Sequence, residues 1–417
     1  MDAAPRHRPT RLRHVRFLSL ATIFAAASGF LVLWVAARAL DVDAFADFQA
    51  FWGLFFALTG FLDGIMQETT RSVAAACERR TSVAATTAWP IAGLLGVVAA
   101  ALALLAGILW MNTIVPTRPG SATTLLAAGL LSYAFQAVLS GVLSGLGLWP
   151  RYAALVALDS GVRFVGAVVA WMAGAGIGVF LLITVIGALS WLFILGTDPQ
   201  RTSHLRAPLD VSARAFLRRT LSAMAGTGAS AVLITGFPVL VKVAEPGGAH
   251  GGAVAAIILA VTLTRAPILV PVQRFQSALI VRCVEHRDAL WAALRLPIAL
   301  TYGAGLAGGA AAWVLGPWIL GTFFGEELMV AGPVLAVLTF SSAATGTLFI
   351  TGAAALAADR HGHYVAGWAV ASTVAFVVLF IPAPLEVAVC AALIAGPAAG
   401  VLVHAVAMRR PRAALLD

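Results

Sequence analysis

The stretch TDPQRTSHLRAPLDVSARAFLRR, Thr197 to Arg219, decides how the chain is read. It is a polar interval between long apolar tracts, with Arg201, Arg206, Arg214, Arg218 and Arg219 set against only Asp198 and Asp210. A run of about 20 apolar residues is long enough to cross roughly 30 Å of hydrocarbon as a helix. Six such runs precede the interval: Leu18–Ala37, Phe45–Met66, Ala88–Trp110, Thr123–Leu148, Tyr152–Ala173 and Ile177–Leu195. Six follow it: Thr220–Val243, Ala253–Val272, Leu296–Leu320, Met329–Ala357, Val365–Ile381 and Leu385–Met408. An even number on each side returns both halves to the same face. The pattern predicts an all-α integral membrane protein with about 12 transmembrane helices in two six-helix halves. The expected organisation is a basic tail (1–16), a first half (17–196), a basic linker (197–219), a second half (220–408) and a short tail (409–417).

Composition agrees with this. Of 417 residues, 61% are apolar and 11% charged, too little charge for a water-exposed surface of this size. The net charge of +9 is not a nucleic-acid signature, because of where the charge lies. In the predicted topology all but five of the 27 basic residues fall in cytoplasmic segments. The exceptions are Arg38, Arg163 and Arg265 in or at the ends of spans, and Arg118 and Lys242, read as single charges in outer loops. This positive-inside bias places both termini in the cytoplasm of a multi-pass cell-membrane protein. Ala37-Arg38-Ala39 resembles a signal-peptidase site, but the apolar run before it is too long for a signal core, so an uncleaved first helix is expected.

Other chemistries find little support. Cys77, Cys283 and Cys390 make no disulfide framework, and His361/His363 read as a solvated inner turn, so no metal and no cofactor are expected. A phosphate-cradling Gly-rich loop ending in Lys-Ser/Thr is missing, which argues against ATP-driven transport within the chain.

The two halves resemble each other weakly. Arg16-Phe-Leu-Ser19 opens span 1 as Arg219-Thr-Leu-Ser222 opens span 7, Arg71 and Arg274 follow spans 2 and 8 at one offset, and Pro90-Ile-Ala92 and Pro297-Ile-Ala299 start spans 3 and 9. Parallel repeats of this kind place a substrate cavity at their interface. Gly141/Gly145 and Gly305/Gly309 predict close helix approach on spans 4 and 9. Pro238, Pro267 and Pro271 interrupt spans 7 and 8, tolerable in lipid only where neighbours or cavity water satisfy the freed carbonyls. Gln273 to Arg295 reads either as an amphipathic interfacial helix or as an extension of span 8.

Charges inside spans carry the most information, since an arginine at the bilayer centre costs ~2.5–3.5 kcal/mol on the permissive scale. Arg163 lies halfway along span 5 with Asp159 one turn before it, in the favourable acid-first order. The pair reads either as a neutralised unit or as a cavity cation for an anionic substrate. Arg265 precedes Pro267 in span 8. Asp63, in the inner third of span 2, either meets Arg265 across the repeat axis as an inner gate or snorkels to the interface. Arg38 reads as an outer interface anchor or a ligand. Asp63 and Asp159 are taken as the intramembrane acids.

The run Val35-Ala-Ala-Arg38-Ala-Leu40, an acidic turn, then Phe45 onward into Phe61-Leu-Asp-Gly64 and Arg71, resembles the start of polysaccharide flippases. These belong to the multidrug/oligosaccharidyl-lipid/polysaccharide exporter (MOP) superfamily. The turn itself, Asp41-Val-Asp-Ala-Phe45-Ala46, lacks the glycines of that family's Gly-Pro-x-x-Tyr/Phe-Gly pattern. The resemblance implies alternating-access export of a polyprenyl-diphosphate-linked oligosaccharide from the inner to the outer leaflet, with no bond made or broken. It implies an anionic lipid-linked glycan as substrate, with membrane lipids and glycan-assembly enzymes as neighbours. Arg38, Arg163 and Arg265 match that family's cationic cavity; Asp63, Asp159, Pro238 and Pro267 are candidates for gating or coupling. A cation-coupled multidrug antiporter of the same superfamily is the alternative, followed by a polyprenyl-donor glycosyltransferase using Asp41 and Asp43.

Overall fold

The computed structural model describes residues 8–79, 87–245, 251–285, 289–358 and 360–409. The outer parts of both expected tails and residues 286–288 therefore lie outside the described residues. The first unit is built mainly from α1 (Arg8–Ala39), α2 (Val42–Arg79), α3 (Trp89–Ile114), α4 (Pro119–Gly145), α5 (Trp149–Met172), α6 (Ile177–Ile186) and α7 (Ser190–Gly196). A short α8 (Arg201–Leu205) lies in the linker, and α9 (Ala213–Ile234) leads out of it. Then come α10 (Phe237–Ala244), α11 (Gly252–Glu285), α12 (Leu290–Phe324), α13 (Gly332–Ala357), α14 (His361–Leu379) and α15 (Leu385–Arg409). Eleven helical stretches are long and apolar enough to span a bilayer, α6 and α7 counting as one; α9 and α10, bent by 56°, supply the twelfth if read as one broken span. Among the described residues there is no strand, and the all-α, twelve-span reading stands.

Lipid explains this uniformity: with no water to bond the backbone, a spanning segment must satisfy its own N–H and C=O groups. Prolines open α3, α4, α5 and α13, where a missing N–H is harmless. Apolar faces turn outward, with Ile108 and Leu109 74% exposed on α3 and Val314 75% exposed on α12. In water such surfaces would aggregate; in hydrocarbon they are ordinary.

The chain divides into two compact units, Met1–Leu40 with Phe55–Gly228, and Asp41–Leu54 with Ala229–Asp417. In the first, α1 packs on α5 and α3 on α4. Here a Cβ at Gly141 would come within 2.5 Å of the Thr69 side chain, so the glycine lets α2 and α4 approach closely. In the second, α11, α12 and α15 all pack on α13, where a Cβ at Gly305 would press on Ala343. The helix pairs expected from Gly141/Gly145 and Gly305/Gly309 do come close. Of the two readings of the chain after Gln273, the extension of span 8 holds as far as Glu285, where α11 ends. One detail differs from expectation: α12 begins at Leu290, so Pro297 lies inside it and does not open it.

Candidate functional site at two broken spans

In the second unit the seventh span breaks. α9 ends at Ile234, α10 starts at Phe237, and Pro238 occupies the first turn of α10. In an unbroken helix the Ile234 carbonyl would accept from the N–H of residue 238, which proline lacks. Arg265 of α11 supplies the missing donor: its Nη1 donates to the Leu233 carbonyl at 3.1 Å and to that of Ile234 at 3.2 Å. The guanidinium also lies 4.9 Å from the Phe237 ring centroid. A cation at the carbonyl end of a helix is favoured by the helix dipole as well. Arg265 is 6% exposed, and its Nη2 has no hydrogen-bond partner among the described residues. None of the ion pairs found among those residues includes it.

The same unit takes in the first part of α2. Gly53 faces the break, where a Cβ would stand 2.7 Å from the Thr235 carbonyl oxygen. One turn earlier Gln49 is buried, and both its amide atoms lack partners among the described residues.

In the first unit the sixth span breaks more gently, through a 3-10 turn at Gly187–Leu189. Arg163 of α5 is 3% exposed and lodged against it. Its Nε donates to the Thr184 carbonyl at 2.8 Å, and Nη1 pairs with the Asp159 carboxylate. Its guanidinium carbon lies 5.1 Å from the Phe56 ring centroid and 5.9 Å from that of Phe55. Any Cβ at position 187 would run into that guanidinium, so only glycine leaves room for it. Asp159 also accepts from Gln136 Nε2 at 3.0 Å, and Ser132 donates to the Ala188 carbonyl at 2.7 Å.

Asp63 is half-buried and accepts from the Tyr133 hydroxyl at 2.7 Å. Asp63 and Arg265 thus each find partners within their own unit. Arg38 is exposed in the last turn of α1. Pro267 lies exposed inside α11, two residues beyond Arg265.

Lys242 is not the outer-loop charge the sequence suggested. It sits buried in α10, with Nζ 3.0 Å from the Asp47 carboxylate, itself buried in α2. Asp47 is therefore an intramembrane acid beyond Asp63 and Asp159. The signal was present, because Asp47 falls inside the span predicted over Phe45–Met66.

The linker that organises the sequence is held by its two acids. Asp198 pairs with Arg151 at 3.1 Å, and Asp210 accepts from Ser72 at 2.7 Å and from Arg71 at 3.1 Å. Burial alone would raise the Asp210 carboxyl, but Arg71 and Ser72 outweigh it and hold it below the usual carboxylate range. At neutral pH that tie is ionised; it weakens as acidification protonates Asp210.

Solved structures share this architecture. The chain is similar to an inward-facing multidrug resistance MATE family transporter of the MOP superfamily, with TM-score 0.67 and 18% identity over 90% of this chain and 92% of that one. An outward-facing transporter of that description gives TM-score 0.65 and 17% identity over 95% and 96% of the two chains. A MOP superfamily transporter from Pyrococcus furiosus, described as having a binding pocket of reverse polarity, gives 0.60 and 16% over 95% of each. The fold is that of the MATE transporters of the MOP superfamily.

No established family profile matches the chain. Full-length relatives do: uncharacterized protein Mb3654 of Mycobacterium bovis is 38% identical over 94% of this chain and 90% of its own. Uncharacterized proteins Rv1510 and Rv3630 of Mycobacterium tuberculosis are each 37% identical over the same shares. The chain belongs to the family of these mycobacterial proteins.

Proposed function

We propose that the protein is an alternating-access transporter of the cell membrane. Its substrate is a polyprenyl-diphosphate-linked oligosaccharide or a related polysaccharide precursor, carried from the cytoplasmic to the outer leaflet. One observation carries this reading: Arg265 is a buried cation at a broken span with no acidic partner among the described residues. Broken helices are where transporters of this kind bind ions and substrates. An uncompensated guanidinium in hydrocarbon selects for an anion, and its planar fork suits phosphate oxygens. The P. furiosus protein, whose description speaks of reversed pocket polarity, supports departure from drug cations within this fold.

Arg163, neutralised by Asp159, has the weaker case for meeting substrate and is assigned to holding the sixth span at its break. Arg38 is assigned to the outer interface. Pro238 and Pro267, on either side of the Arg265 contact, are the hinge candidates, and Asp63 is the carboxylate assigned to coupling, while Asp159 stays with Arg163.

The test uses proteoliposomes carrying a fluorescent polyprenyl-diphosphate oligosaccharide and a membrane-impermeant quencher. Wild-type protein should expose the inner-leaflet label to the quencher faster than empty liposomes. Arg265→Gln keeps an amide donor for the carbonyls but removes the charge; transport should fall roughly ten- to hundredfold, the worth of a charged hydrogen bond of about 1.5–3 kcal/mol. Normal flipping by Arg265→Gln, or none above background by the wild type, would overturn the reading. Drug-cation efflux without lipid flipping would put the multidrug antiporter in its place.

A further inference from the structure

We infer that a groove between α11 and α12 binds the polyprenyl chain of a phosphorylated lipid; this rests on the function proposed above and names where the substrate's tail lies. Two apolar cavities, about 450 Å³ and 480 Å³, lie between these helices and share Pro267, Ile268 and Ala304. They form one groove within the second unit. From Leu296 to Leu320, which bound it on α12, the helix rises about 36 Å at ~1.5 Å per residue. That exceeds the ~30 Å thickness of the hydrocarbon core. A phospholipid acyl chain covers one leaflet, about half that thickness, so it fills only part of the groove. A polyprenyl chain is long enough to run through the whole of it.

Pro267, Ile268 and Pro271 line the groove on α11, and Leu300, Ala304 and Leu315 line it on α12. Gly308 and Gly316 of α12 lie against α13, where a Cβ would meet Thr339 and Leu335. At the end on the cytoplasmic side of the predicted topology the groove reaches Arg282, an exposed cation suited to a phosphate head. On α11 the lining runs from Ala260 to Arg282 and includes Thr264 and Pro267, on either side of Arg265. A lipid lying in it therefore has its tail beside the helix that carries the proposed diphosphate-binding cation.

The experiment is photolabelling of the full chain in phosphatidylcholine nanodiscs. The probe is a long-chain polyprenyl phosphate with a diazirine at the chain terminus. Labels should map to α12 between Ala304 and Gly316, and unlabelled polyprenyl phosphate should compete while phosphatidylglycerol does not. Ala304→Trp, placed at an exposed position in the groove wall, should cut labelling roughly tenfold, equivalent to about 1.4 kcal/mol of lost contact. Labelling is read without any flipping step, so failure of the flipping reading and failure of the groove are separable. Equal competition by phosphatidylglycerol would mean ordinary bilayer lipid in the groove and would overturn the inference, as would labelling spread evenly onto α3. Should Ala304→Trp not fold, the wild-type competition experiment decides alone.

Discussion

Arg163 and Arg265 solve the same local problem with opposite electrostatic results. Each is buried, each donates to a carbonyl at a broken span, and each lies against phenylalanine rings. Arg163 has Asp159 beside it, and the unit is neutral. Arg265 has only carbonyl dipoles and a ring, and its charge remains. Dipoles and a ring face offset part of the desolvation of a guanidinium, but they do not cancel its charge. A neutral pair serves as a permanent structural part; a bare cation in the membrane calls for a reason, and an anionic substrate supplies one.

The largest test of this contrast is Asp159→Ala. Removing one partner of a buried pair leaves an uncompensated charge and typically costs ~3–5 kcal/mol. Thermal unfolding of the purified protein should show a steep loss, largely recovered by Asp159→Ala/Arg163→Met, which removes both charges. A single variant as stable as the wild type would mean that Arg163 tolerates being a bare cation, and the contrast with Arg265 would collapse.

Next is Arg265→Ala, which strips the donor from two carbonyls. Each buried acceptor left unsatisfied costs about 1–3 kcal/mol. Arg265→Gln should regain part of that stability while remaining defective in transport. A merely structural arginine would show the reverse coupling, with transport following folded protein level in every variant.

A smaller effect is expected from Pro238→Ala. The new N–H at position 238 can bond the Ile234 carbonyl and compete with Arg265 for it. In a double-mutant cycle with Arg265→Ala the two changes should therefore couple by roughly 1 kcal/mol, within the range for residues sharing a partner. Strict additivity would show that Arg265 does not answer the missing proline donor.

How much of this was legible follows from the range of each interaction. Spans are written locally, as runs of apolar residues, and the Asp159–Arg163 pair is written in an i,i+4 spacing; both could be read directly. Pro238 announced a disturbance in span 7, but its partner Arg265 lies on another helix, and no local pattern connects them. The break in span 6 had no proline to mark it; Gly187 takes its meaning only from the guanidinium packed against it. Lys242 misled because it stands near Glu245 and the end of an apolar run, which resembles a loop. Its buried position depends on Asp47, far away in sequence.

The finest distinction comes from lysine at both positions. Lysine keeps the charge but loses the planar fork, so the same substitution probes shape at each site without changing electrostatics. For Arg163→Lys the ammonium can still pair with Asp159, whereas the Nε bond to the Thr184 carbonyl is lost, a change of about 0.5–1.5 kcal/mol. Stability should fall by that small amount, and transport per folded molecule should be unchanged. Both backbone contacts of Arg265 come from one nitrogen, Nη1, which a lysine ammonium can replace with little change in stability, but Arg265→Lys loses bidentate geometry toward a phosphate. Transport there should fall further than stability, yet less than in Arg265→Gln, which has no charge at all. If both lysine variants transport like the wild type, neither fork meets the substrate, and charge alone at Arg265 suffices. If Arg163→Lys proves the more defective in transport, the substrate contact belongs to the first unit, and the two arginines exchange their assigned roles.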